Sequence, residues 1–151
     1  MGSGDGLRCP PMRLDQKVAL VTGGTRGIGA GIVEMLAAKG AAVAFTGRSE
    51  DRGAAVEAAV RDAGGNARYI RADNGRRDEI AAAVRTTVDT FGRLTTLVNN
   101  AISDEAGAGR DTHVDEVDDE TFDHIMLIAL KGAVWASKYA IPEMRRAGGG
   151  S

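Results

Sequence analysis

The chain has 151 residues, room for one domain and hardly for two, with 19 Lys+Arg against 21 Asp+Glu. Its 26% charged and 43% hydrophobic residues exclude a disordered chain, and the near balance of charge excludes a basic nucleic-acid binder. Apolar stretches reach only about six residues, too short for a bilayer span, so no membrane partner is expected.

Residues 1–11 (MGSGDGLRCPP) have no periodicity, no apolar core and no small-residue cleavage site. They read as a disordered leader rather than a signal peptide. Met12 is a second candidate start, so the domain is taken as 12–151. The single cysteine, Cys9, excludes a disulfide framework or a Cys-based zinc site and suits a reducing, cytoplasmic compartment. Glycine, at 21 residues, is roughly twice its usual share.

Residues 18–22 (VALVT) form a short, β-branched apolar run, as in a strand buried on both faces. A glycine turn follows over 23–29. Ile28, Ile32, Val33, Leu36 and Ala37 then repeat at helical spacing as far as Gly40, placed where a C-cap glycine belongs. The pattern continues with a strand at 42–46, a helix at 50–63 closed by Gly64 and Gly65, and a strand at 67–72. A helix over 77–91 carries Ile80, Ala83, Val84 and Val88 on one face, and a strand over 94–99 is entered through Gly92. Strands alternating with helices of about a dozen residues predict an α/β fold with a parallel, doubly wound sheet. A polar loop over 102–118 leads to a long helix over 120–146, with Asp118 or Asp119 as its N-cap.

The turn at 22–29 lies between a strand and a helix, where a phosphate-binding turn must lie. Gly23 permits the tight turn, Gly27 lets backbone approach a pyrophosphate, and Gly29 permits close helix packing. The amides and dipole of the following helix favour the negative diphosphate.

Read as Thr-Gly-x-x-x-Gly-x-Gly, this turn resembles that of the short-chain dehydrogenase/reductase family. Asn99-Asn100-Ala101 after the fourth strand and Asp73-Asn74 after the third resemble two further family motifs, and the likeness runs over 12–151. Near the motifs the chain is similar to 3-oxoacyl-carrier-protein reductases and related sugar or steroid dehydrogenases. The resemblance implies a Rossmann sheet ordered 3-2-1-4, ending before the fifth strand. It also implies hydride transfer between a nicotinamide dinucleotide and a small-molecule carbonyl/alcohol pair. By that resemblance Gly23, Thr25, Arg26, Gly27, Ile28 and Gly29 would cradle the diphosphate. Asp73 and Asn74 would border the adenine, and Asn100 and Ala101 would contact the nicotinamide-side ribose.

Cofactor choice follows from charge at the end of the second strand. An acidic residue there would accept the ribose 2′-hydroxyl and repel a 2′-phosphate. Gly47 occupies that slot and Arg48 follows, with Arg26 in reach of the same phosphate, so NADP is expected over NAD.

The family's chemistry uses a tyrosine with a lysine four residues later, and a serine on the preceding strand. Tyr69 is followed at that spacing by Asp73, and Tyr139 by Glu143. Ser137 lies on the last helix and cannot stand in for the strand serine. The family's relay-asparagine position holds Ala129, and Ile102 replaces the last glycine of the Asn-Asn-Ala-Gly signature. In family terms the missing catalytic residues lie past Ser151, so the 151 residues are expected to bind cofactor without turning over. A non-catalytic nucleotide-binding remnant is the second reading.

A fourth strand left as a sheet edge, with Leu97 and Val98 unpaired, predicts self-association or a homo-oligomer. The apolar stripe Phe122, Ile125, Met126, Leu130, Val134 and Ala140 points the same way. No metal is expected. His113 and His124 lack partners at ligand spacing, and Asp115, Glu116, Asp118, Asp119 and Glu120 are accounted for by the helix N-terminus they precede. Trp135 reads as a packing residue.

Overall fold

The computed structural model describes residues 13–103 and 114–151, so the leader, Cys9, His113 and residues 104–113 of the polar loop lie outside the described residues. The elements are β1 (Val18–Val21), α1 (Gly27–Ala38), β2 (Ala42–Gly47), α2 (Glu50–Asp62), β3 (Asn66–Arg71), α3 (Arg77–Phe91) and β4 (Thr96–Val98). A short 3₁₀ turn (Val114–Glu116) then precedes α4 (Asp119–Met126), a π turn (Leu127–Lys131) and α5 (Gly132–Arg146). The four strands pair in parallel in the order β3-β2-β1-β4, as expected.

The local chemistry sets the boundaries. Gly40, Gly64 and Gly92 take φ of +94°, +80° and +79° at the ends of α1, α2 and α3, in the left-handed region open to glycine. Ser49 caps α2 by accepting the Arg52 N–H, and Asp118 caps α4 by accepting the Thr121 N–H at 2.7 Å. Strand alternation then sorts the core into two layers. Ala19, Val21, Val43 and Phe45 pack with Val33, Ala37 and Val60 of α1 and α2. Leu20 and Ala44 point to the opposite face and meet Val84, Leu94, Ala140 and Met144. Both faces of β1 are therefore covered, which is why its sequence shows no polar alternation.

Of the apolar stripe on the last helix, Phe122, Leu130 and Val134 are more than half exposed while Ala140 is buried. The buried positions are Ile128, Gly132, Ala136, Ala140 and Met144, every fourth residue. Two expectations need correction. The helical run Asp119–Arg146 contains an 18-residue window of mean hydropathy 1.2, enough in length and composition to cross a membrane, although each apolar stretch is short. Here its small residues lie against α3 and the sheet.

The second correction concerns the edge of β4. The Leu97 N–H donates to the Ser151 carbonyl at 2.8 Å, and the Ser151 N–H donates to the Thr95 carbonyl at 3.0 Å. One residue bonded to both flanks of its opposite number is the parallel-ladder pattern. Val98 is turned the other way, its carbonyl accepting the Thr22 N–H at 3.0 Å. The outer side of β4 is thus partly paired.

Phe45 has no exposed surface and joins β2 to both α1 and Tyr69. Phe45→Ala should lower unfolding stability by about 3–5 kcal/mol, read as a drop in the urea midpoint at unchanged slope.

Candidate functional site

At the C-terminal end of β1 the chain must turn sharply and still satisfy its polar groups. Thr22, 3% exposed, does this through its hydroxyl. Its Oγ1 accepts the backbone N–H groups of Asn100 and Ala101, both at 3.1 Å, and donates to the Val98 carbonyl at 3.4 Å. In return Asn100 Nδ2 donates to the carbonyls of Thr22 and Gly23, both at 3.0 Å. The glycine turn is thereby fastened to the end of β4 from both sides.

The glycines are set by this packing. Gly23 has φ +69°, and a Cβ there would stand 2.8 Å from the Ala101 Cα. A Cβ on Gly29 would run into the Gly23 carbonyl and the Asn100 amide, so α1 can start only where it does. Gly27 has φ +53° and open space where its Cβ would be. The expectation that Gly29 serves close packing holds, with the turn's own carbonyl and Asn100 as neighbours.

A cleft of about 610 Å³ crosses the C-terminal ends of all four strands. Its wall includes every residue assigned to the cofactor in the sequence: Gly23, Thr25, Arg26, Gly27, Ile28 and Gly29 from the turn, Arg48 after β2, Asp73 and Asn74 after β3, and Asn100 and Ala101 after β4; Thr22 and Asn99 of the same motifs lie outside it. Such a crevice, where the strand order reverses between β1 and β4, is where open parallel sheets bind ligands. Ile28 belongs to the wall and not to the core, being 81% exposed. Ile102 also lines the cleft.

Sequence reasoning missed other lining residues, among them Thr46, Ser49, Arg52 and Ile128. Arg52 had a signal: it lies one helical turn past Arg48, on the first turn of α2. Ile128 had none, since it enters from the π turn, 54 residues beyond Asn74 and outside every motif.

Side chains brace each corner. The Tyr69 hydroxyl donates to the Gly47 carbonyl at 2.9 Å. Burial, and then the charge of Glu50, push the Tyr69 phenol above its usual pKa. Asp73 Oδ1 accepts the Gly75 N–H at 2.8 Å, and Asn74 Nδ2 donates to the Ile128 carbonyl at 2.8 Å. The side chains assigned to the adenine are therefore engaged with the protein's own backbone, and Asn100 likewise turns its amide inward.

The two tyrosines are similarly engaged. Tyr69 holds Gly47, and the Tyr139 hydroxyl of α5 accepts from Arg77 Nε at the start of α3 at 2.7 Å. Ser137 lies near Asn99, whose Nδ2 donates to its hydroxyl at 3.3 Å. Trp135 is half-buried, with the Lys131 ammonium 5.7 Å from its ring centre. Among the described residues no group of three or more His, Cys, Asp or Glu side chains comes together to hold a metal ion.

The Thr22 hydroxyl predicts a sharp mutational contrast. Thr22→Val leaves two backbone N–H groups without their acceptor and should cost about 2–4 kcal/mol, whereas Thr22→Ser should recover most of that loss. Chemical denaturation of the three proteins reads the difference.

Comparison with known proteins places this geometry. A family model for short chain dehydrogenases matches residues 17–151. An uncharacterized oxidoreductase of Thermotoga maritima is 38% identical over 139 residues, covering 92% of this chain and 53% of that protein. Among solved structures, a short-chain dehydrogenase/reductase from Serratia marcescens is similar with TM-score 0.78 at 40% identity, covering 89% of this chain and 53% of the other. A dehydrogenase/reductase from Sinorhizobium meliloti is similar with TM-score 0.78 at 37% identity, covering 88% of this chain and 51% of the other. The chain thus spans about half the length of the relatives it matches. With a parallel 3-2-1-4 sheet and the family match over most of its length, the chain belongs to the short-chain dehydrogenase family.

Proposed function

We propose that this chain is the cofactor-binding part of an NADP(H)-dependent oxidoreductase acting on the carbonyl/alcohol pair of a small molecule. The observation that carries the reading is the convergence of residues from all three motifs on one cleft whose β2 corner holds Arg48 and no carboxylate between Thr46 and Ser49. The residues fit a dinucleotide. The volume lies within the range of about 300–1,000 Å³ usual for ligand pockets. Gly27 leaves open space beside the α1 N-terminus, where backbone N–H groups and the helix dipole favour a diphosphate.

When bound, the nicotinamide would supply or accept the hydride. The chain's own residues bind and orient. Gly23, Thr25, Arg26, Gly27, Ile28 and Gly29 would surround the diphosphate, Asp73 and Asn74 would wall the adenine, and Asn100 and Ala101 would border the nicotinamide-side ribose. Arg48 would pair with the 2′-phosphate, with Arg26 and Arg52 adding positive charge to the same corner. Tyr69 would support this indirectly, by holding the Gly47 carbonyl and hence the path of the chain into Arg48.

Turnover is a separate matter. Both tyrosines are engaged elsewhere, neither has a lysine four residues on, and Ala129 stands at the relay position. These 151 residues by themselves would hold the cofactor without general acid/base help, whose loss costs about 10²- to 10⁴-fold in rate. The same facts favour a nucleotide-binding role without catalysis as the second reading. A cytoplasmic setting belongs to the proposal too, resting on the single cysteine.

Fluorescence titration tests the cofactor assignment. NADPH should bind more tightly than NADH, and Arg48→Asp should weaken NADPH binding roughly ten- to a hundredfold, one charged hydrogen bond's worth. NADPH oxidation with a panel of ketones should stay at background. Equal affinity for the two cofactors would overturn the NADP assignment, and ketone-dependent oxidation that tracks purified protein would overturn the inactive reading.

Self-association forms part of the proposal, now through the exposed stripe Phe122, Met126, Leu130 and Val134 more than through the partly paired β4 edge. Light scattering over a range of concentrations should show oligomers that Leu130→Lys with Val134→Lys converts to monomers. A monodisperse unmodified monomer at all concentrations would contradict it.

A further inference from the structure

In an α-helix the Gly132 N–H would bond to the carbonyl of Ile128, four residues back. Across the π turn it bonds to Leu127 instead, five residues back, and the Ile128 carbonyl loses its helical donor. The missing donor comes from another element. Asn74 Nδ2, at the end of β3, reaches that carbonyl at 2.8 Å. Gly132 leaves room for it: a Cβ there would run into the Asn74 amide nitrogen and stand 2.7 Å from the Asn74 backbone oxygen.

The other end of the amide is anomalous. Asn74 Oδ1 is buried and, among the described residues, is the side-chain atom left without a hydrogen-bond partner. An unmatched buried acceptor is costly. An apolar side chain would fill the space without that cost, so what an amide adds at this position is its donor.

We propose that Asn74 is a positioning residue whose amide replaces the hydrogen bond that the π turn omits, making the wall of the cleft and the start of α5 one mechanical unit. Asn74 and Ile128 both line the cleft, so a molecule seated at the Asp73–Asn74 corner bears on the helix through this bond. The coupling goes beyond cofactor binding, and its first test needs no cofactor.

Hydrogen exchange by mass spectrometry on the 151-residue chain reads it directly. Asn74→Asp is nearly isosteric and removes the donor. It should speed exchange of the amides at 130–134 by about tenfold or more, with β1 and the glycine turn unchanged. Gly132→Ala should push the Asn74 amide aside and give the same local signature. The double variant should be no worse than the more affected single one, because both act on one bond. No local change in either variant, a change spread evenly over β1 and the turn, or additive effects would each overturn the proposal. NADPH is then added. In the unmodified chain it should slow exchange at both the glycine turn and 130–134, and in Gly132→Ala at the glycine turn alone. Protection of the turn without the helix in the unmodified chain, or retained helix protection in Gly132→Ala, would overturn the mechanical coupling. If NADPH protects neither segment, the cofactor reading fails, while the experiment on the free chain still decides for or against the Asn74 bond.

Discussion

The closure of the glycine turn against the end of β4 is the constraint from which the site follows. A parallel sheet leaves the first turn after β1 with carbonyls that no helix or strand can pair, and burial makes each of them expensive. Asn100 pairs two of them, and the Thr22 hydroxyl accepts the N–H groups that bring Asn100 into place. Everything nearby adjusts to that exchange. Gly29 must lack a Cβ because the Gly23 carbonyl and the Asn100 amide already fill the space, and this fixes where α1 begins. The start of α1 in turn fixes where its dipole and free N–H groups point.

The same logic accounts for the last helix. Residues every four apart drift by roughly 40° per step in a regular α-helix of 3.6 residues per turn. The buried series Ile128, Gly132, Ala136, Ala140 and Met144 would wind off the sheet if it ran unchecked. The wider π turn at its start takes up part of that drift and leaves one carbonyl to be paired from outside the helix. The large apolar residues Phe122, Leu130 and Val134 therefore lie on the outer face, and the residues that bring the helix close to α3 and the sheet are mostly small.

The fold was legible because strand, helix and glycine alternate with a clear rhythm, and left-handed glycines punctuate the helix ends. The candidate site residues share one cleft for a related reason: the motifs that carry them sit at strand ends, and the order of those ends along the sheet brings them together. What the side chains do there was less legible. The family resemblance implied ligand contacts for Asn100 and Asn74, and both direct their amides to backbone carbonyls. Pairwise bonds of this sort depend on tertiary distance, which no local pattern encodes. The pairing of Ser151 with β4 was equally invisible, since a single residue carries no strand signal.

One rule joins the corners of the cleft. At three points around it, a side chain from a neighbouring element bonds the backbone that frames the site: Tyr69 of β3 bonds Gly47 at the end of β2, Asn100 after β4 bonds Gly23 after β1, and Asn74 after β3 bonds Ile128 in the π turn. Loops held this way have little freedom left to lose when a ligand arrives, so more of the contact energy appears as affinity. The braces also make the corners interdependent. A change at Tyr69 acts on Arg48 through the chain path at Gly47, and a change at Asn74 acts on the helix before it acts on any ligand. Around this cleft Asp73, Asn74 and Asn100 thus shape the wall by bonding backbone, while Arg48 and Arg52 bring positive charge to its β2 corner.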